Sequence, residues 1–220
     1  MFRLFIWLFL FFLSCNYNRN DSTNTTTKQT IALLNLGDSS AQLAHLIKSR
    51  LENSVYCNVL LLDSKPLPLN AYNSSRKRYK ADSLLVFLSK QKPTHAQKII
   101  GITDSDIETK NGIIKSWGVM GLGYCPGNSC VVSSFRPKKS AKSQTHLLDR
   151  MVILVMHELG HTYSLPHCRD TTCIMQDADG KMRLDNSAGY CKLCKLELEG
   201  KGLVLKSNHA QGYSQHTENK

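Results

Sequence analysis

The 220-residue chain is short of acid: Asp and Glu total 17 against 28 Lys and Arg, a formal charge of +11. A basic excess of that size would suit RNA or an anionic membrane surface. No recognised nucleic-acid-binding motif accompanies it, however, and the basic residues are scattered apart from one cluster, "RKRYK" at 76–80. That cluster reads as a solvated helix face, so no nucleic-acid partner is expected. A membrane-spanning run is also missing. The apolar stretch Leu4–Leu13 falls well below the roughly 20 residues a helical span requires. Internal repeats are absent, which argues against a solenoid or propeller. What remains is an ordinary globular composition, 41% hydrophobic, in a length that suits one domain with a good core.

Arg3 followed by Leu4–Leu13 has the form of an export signal, and the run closes in "FLSC", which resembles a bacterial lipobox. Residues 1–14 are therefore expected to be a signal peptide, with Cys15 as the lipid acceptor. The protein would then be an exported lipoprotein of the periplasm or cell envelope, its only membrane contact the anchor; simple secretion is the alternative. Residues 15–30 are nearly devoid of aliphatic side chains and cannot bury enough surface to offset the entropy of ordering, so they read as a tether. The folded domain is expected over 31–205, as a monomer, with a polar tail over 206–220.

From Ile31 the pattern turns α/β. "IALLNLG" reads as a buried strand closed by Gly37, with Asp38 or Ser39 able to cap the next segment. Leu43, Leu46, Ile47 and Leu51 recur at helical spacing and predict a helix over 40–53. A second strand over 54–63 then implies a parallel pair with a crossover helix. A helix over about 75–90 and a strand over 98–107 follow. "SWGVMGLGY" and "CVVSSFR" read as two strands joined through "CPGNSC", a link short enough for antiparallel pairing, hence a mixed sheet. "THLLDRMVILVMHELGHTYS" is a helix so apolar from Leu147 to Met156 that it must be buried on several sides.

Its polar residues gather at the C-terminal end. His157 and His161 lie four apart, so their rings project about 40° apart on one face and can converge on one ion. Glu158 lies between them, turned about a quarter circle. Two imidazoles do not complete a catalytic zinc site, which wants three protein ligands and one open position. His167, six residues beyond His161, supplies the third if the chain doubles back. Chance pairing of histidines on a helix is the bland alternative, but burying two imidazoles and a carboxylate on so apolar a helix is costly without a metal to satisfy them. The remaining histidines need no function; His45 and His146 read as surface or helix-end residues.

His157, Glu158, His161 and His167 followed by Cys168, Cys173, "IM" with Met175, and "CKLC" at 191–194 resemble the archaemetzincin family of zinc metalloproteases. "IGITDSDI", "WGVMGLG" and "VVSSFR" also resemble that family, so the likeness spans about residues 31–200. The resemblance implies a compact metzincin-like α/β fold with a mixed sheet, a buried HExxH helix and a C-terminal segment bound to zinc through four cysteines. It implies two zinc ions: a catalytic one on His157, His161 and His167, and a structural one on Cys168, Cys173, Cys191 and Cys194. Glu158 would be the general base for hydrolysis of peptide bonds, Met175 the family methionine beneath the site, and short peptides or chain ends the substrate.

The chain departs from the family at Ser164, where glycine is expected. Glycine suits that position because the helix must end and reverse, often in a left-handed conformation. Ser164 would leave the third ligand less well placed, and a zinc protein that binds peptides or a partner without turnover is the rival reading. The gap between Met175 and Cys191 is also a little short. Of the other cysteines, Cys57 reads as a core residue, and Cys125 with Cys130 could form a disulfide in an exported protein. The four zinc cysteines could instead form two disulfides, though CxxxxC with CxxC closes a tetrahedral zinc site well.

Overall fold

The computed structural model describes residues 28–37 and 41–206. The signal, Cys15, most of the tether, the Asp38 or Ser39 cap and all of the tail beyond Lys206 lie outside the described residues. In chain order the elements are β1 (Gln29–Leu36), α1 (Ala41–Ser54), β2 (Cys57–Lys65), β3 (Tyr72–Asn73), β4 (Arg78–Lys80), α2 (Ala81–Gln91), β5 (Lys98–Thr103), β6 (Ile107–Asn111), β7 (Ile114–Val119), β8 (Gly121–Gly123), β9 (Ser129–Ser133), α3 (Phe135–Lys138), α4 (Gln144–Thr162) and α5 (Lys192–Gly200).

The larger sheet runs β2-β1-β5-β9-β8. Its first four strands are parallel, and β8 closes one edge antiparallel to β9. β1 shows why this sheet sits in the middle of the molecule. Ile31 and Leu33 enter one apolar cluster with α1 and α4, while Ala32, Leu34 and Leu36 enter another with α2. A strand buried on both faces has no polar side to alternate with, so it reads as the continuous run seen in the sequence. Each face is then covered by the helix whose apolar stripe fits it: Ile47 and Leu51 of α1 on one side, Leu84, Leu85 and Leu88 of α2 on the other.

A second, smaller sheet was not foreseen. It runs β3-β4-β6-β7, with β4 and β6 parallel and the outer pairs antiparallel. Two expectations change because of it. The helix placed over 75–90 begins only at Ala81, because Tyr79 pairs with Tyr72 and Ile107 and Arg78 bonds Asp106 at 2.8 Å. "RKRYK" is thus a turn and a short strand rather than a helix face. "SWGVMGLGY" is not one strand: it breaks at Met120, leaving β7 in the small sheet and β8 in the large one.

Ser143 caps α4 by accepting the His146 N–H at 3.0 Å. The helix is buried almost throughout, including three polar side chains at its start, His146, Asp149 and Arg150. His146 therefore corrects the reading of it as a surface residue, although it does lie at a helix end. Its Nε2 lies 2.9 Å from Asp185 Oδ1, and Arg150 reaches both Asp185 oxygens through Nε at 2.7 Å and Nη2 at 2.6 Å. These bonds tie α4 to the loop 176–187. At the other end Lys98 Nζ donates to Thr162 O at 2.8 Å and to Gly127 O at 2.6 Å, occupying a carbonyl that the helix itself leaves free.

Candidate metal and active site

Past Thr162 the chain reverses. Ser164 takes a left-handed φ of 67°, the conformation for which glycine is suited. Its N–H donates to His161 O at 2.8 Å, and Leu165 N–H to Gly160 O at 3.1 Å. The turn brings His167 back to the other two rings: centroids lie 4.7 Å apart for 157 and 161, 5.4 Å for 157 and 167, and 4.9 Å for 161 and 167. Serine at the hinge has not moved the third ring away.

The ring nitrogens fix how these side chains can act. His157 Nδ1 is 2.6 Å from Ile174 O, and His161 Nδ1 is 2.7 Å from Leu165 O. A carbonyl only accepts, so both Nδ1 atoms carry hydrogen and both Nε2 atoms present lone pairs when the rings are neutral. Burial lowers the His157 pKa to about 4, helped by His161, and burial lowers that of His161 as well. The two Nε2 atoms nonetheless lie 3.1 Å apart. Two bare lone pairs at that distance repel unless a cation lies between them, so this donor set fits a metal. His167 Nδ1 lies 3.1 Å from Asp177 Oδ2, leaving its Nε2 free in the same way.

Glu158 is buried, and its burial pushes the carboxyl pKa up to about 8. Its Oε1 lies against β8: a Cβ on Gly121 would come within 2.5 Å of it. Glycine there lets the strand approach the carboxylate. Met175 is fully buried on the backbone of α4, where a Cβ at Gly160 would meet its Sδ at 2.5 Å.

A second donor group lies beside the first. Cys168, Cys173, Cys191 and Cys194 bring their Sγ atoms within 4.8 Å of one another, and the three histidines meet the same limit. Cys168 N–H donates to Met175 O at 2.7 Å, while Cys173 Sγ accepts from Met175 N–H and Cys191 N–H at 3.4 Å each. Burial raises the Cys173 thiol to about 11 and raises Cys194 too, whereas Cys191 is lowered despite its burial by N–H and thiol donors around it. All four thiols are free. Cys125 and Cys130 are also free; Cys130 is buried in β9 and Cys125 is exposed, with its Sγ 3.6 Å from Leu165 O, so the suggested bridge does not form. Cys57 is buried as expected.

The sequence profile of peptidase family M54 matches residues 55–200. An archaemetzincin from Natronomonas pharaonis is 30% identical over 173 residues, spanning 74% of this chain and 96% of the relative. This chain belongs to peptidase family M54, the archaemetzincins. Crystal structures of archaemetzincins from Methanopyrus kandleri and Archaeoglobus fulgidus share its fold. The first has a TM-score of 0.66 at 24% identity and covers 82% of this chain and 98% of its own; the second has 0.65 at 23%, covering 77% and 99%. As an archaemetzincin the protein is a zinc metallopeptidase with a mixed α/β fold.

The histidines and Glu158 open onto a cavity of about 490 Å³. Trp117–Gly123 form one wall of it and Gln176–Arg183 contribute to the other. The sequence left undecided which strand borders the cleft. β9 is interior to its sheet, so the edge belongs to β7 and β8. Gly121, Asp177 and Arg136 in the cleft were missed from sequence; only the glycine-rich "WGVMGLG" hinted at a close backbone approach.

Proposed function

We propose that the protein hydrolyses peptide bonds at this cleft, with His157, His161 and His167 holding a catalytic zinc and Cys168, Cys173, Cys191 and Cys194 a structural one. The carrying observation is the pair of Nε2 atoms at 3.1 Å, both left bare by Nδ1–H bonds to carbonyls. Bound zinc supplies Lewis acidity, lowering the pKa of water towards about 7 and polarising a carbonyl. Ile174 O, Leu165 O and Asp177 hold the three rings in the orientation that keeps Nε2 available.

Glu158 moves the proton. Burial raises its pKa to about 8, and a cation on the neighbouring rings draws that value down, placing the carboxylate near the range where it can take a proton at neutral pH and give it back. It accepts the proton of the attacking water and returns it to the departing amine. Gly121 and Gly123 keep β8 close enough to shield this carboxylate from bulk solvent. The open edge of β7 and β8 offers backbone N–H and C=O groups to an extended peptide. Short peptides and chain ends are the substrates we favour. The rival reading, zinc and peptide binding without turnover, drew on Ser164, and the convergence of all three rings speaks against it.

Glu158→Gln should keep both zinc ions and lose turnover on a peptide library. Cleavage at the wild-type rate would remove Glu158 from the role. Export with lipid on Cys15 stays a proposal from the sequence; a lipid-modified N-terminal cysteine in the mass spectrum of the membrane fraction tests it.

A further inference from the structure

The cleft contains a cation that the hydrolytic chemistry does not use. Arg136, just beyond β9, reaches into it beside Gly118, where a Cβ would collide with Nη2 and Cζ of the guanidinium. Glycine at 118 is therefore what lets this side chain lie on β7. Asp106 fixes its orientation, accepting from Nε at 2.9 Å and Nη2 at 3.1 Å. The same carboxylate is also bound by Arg78 Nε at 2.8 Å, so two guanidinium groups share one counter-charge and the group as a whole keeps a positive charge.

An arginine has five N–H donors. Asp106 takes two of them here, and among the described residues no protein acceptor takes the other three. Lys181 lines the same cavity without a carboxylate partner among the described residues. The opposite wall meets β7 close to this point, since a Cβ on Gly180 would lie 3.0 Å from Trp117 Cζ2. Arg136 and Lys181 thus both present positive charge to this cavity.

Gly118 of β7 marks Arg136 and Gly121 of β8 marks the Glu158 carboxylate, on either side of the break at Met120. Three residues of backbone span at most about 10 Å, so a peptide along this wall passes from one to the other within about three residues.

We infer that Arg136 is a specificity-determining residue of this site: its guanidinium receives a substrate carboxylate, from a peptide C-terminus or from an Asp or Glu side chain, within about three residues of the scissile bond. This rests on the peptidase reading above. Asp106 is the positioning residue that aims the guanidinium, and Gly118 gives it room.

The test uses zinc-loaded full-length protein carrying Glu158→Gln and measures binding of three otherwise identical peptides. One ends in a free carboxylate about three residues after the bond to be cut. The second is amidated there, and the third is amidated with Glu at that position. Binding about tenfold tighter for the first or third than for the second is expected, and adding Arg136→Gln should bring the ratio to about one. Preference for the first alone names the C-terminus; preference for the third names the acidic side chain. Unchanged zinc content and thermal unfolding show that the Arg136 variant is folded, and Arg136→Lys should keep part of the preference. Equal binding of all three, no measurable binding of any, or a preference that survives Arg136→Gln overturns the assignment. Cleavage by the wild-type protein is scored separately: selective binding without cleavage would refute the peptidase reading and leave the carboxylate site standing.

Discussion

Replacing Ser164 by glycine should stabilise this protein. Ser164 sits at φ 67°, on the reversal that returns His167 to His157 and His161. A residue with a Cβ loses roughly 1–2 kcal/mol there. Glycine removes that strain but adds conformational freedom to the unfolded chain, which takes back about 0.5–1 kcal/mol. The hydrogen bonds to the backbone of this turn, Ser164 N–H to His161 O at 2.8 Å and the Lys201 side-chain Nζ to Ser164 O at 3.4 Å, do not involve the hydroxyl and survive the change. The net gain is therefore about 0.5–1 kcal/mol, or a rise of about 1–4 °C in Tm for a chain of this size. Thermal unfolding should be followed with a chelator present, because ligand binding shifts Tm by mass action and would mask so small a difference. Ser164→Ala, which keeps the Cβ, should not show the gain. A Ser164→Gly variant no more stable than wild type, or an alanine variant equally stabilised, would refute the strain argument.

Three further expectations follow from the site. In zinc-free protein Glu158 titrates near 8, against an ordinary value of 4.5, so the folded state keeps a proton that the unfolded chain has released; above about pH 6.5, where the buried His157 and His161 are neutral in both states, stability should fall by up to about 1.4 kcal/mol per pH unit as pH rises towards 8, and Glu158→Gln should remove that fall in denaturant titrations. Asp185 shows the opposite sign: the Arg150 hydrogen bond holds it at about 2, below its ordinary 3.8, so its contribution is present above pH 4 and fades as pH falls towards 2. Asp185→Asn should flatten that acid limb in unfolding curves, by a small amount because the side chain is 42% exposed and screened by solvent. Gly121→Ala places a Cβ 2.5 Å from Glu158 Oε1 and should lower kcat/KM about 100-fold with zinc content unchanged, since displacing a catalytic group by about 1 Å has that order of effect.

The parts that were legible in the sequence are those governed by local period or fixed spacing. β1 could be read because both of its faces are buried, and α4 because its long apolar run ends in the polar cluster His157, Glu158 and His161. The reversal at Ser164 was visible as a departure from glycine. The small sheet was not legible: β3 and β4 have two and three residues, too few for any periodicity, and they exist because Tyr72 and Ile107 flank Tyr79 across the sheet. His146 looked like an exposed helix end because its partner, Asp185, lies 39 residues further on. Arg136 escaped notice for a similar reason. Its significance depends on Gly118 and Asp106, which the fold brings beside it from other elements.

The central claim is that two separate donor groups each hold one metal ion. Zinc per chain, measured by elemental analysis of purified full-length protein, tests it directly in three forms: wild type, Cys191→Ser with Cys194→Ser, and His157→Ala with His161→Ala. Two ions falling to one in each double variant are expected. One ion or none in the wild type, or two retained after loss of both histidines, would contradict the assignment of the active site.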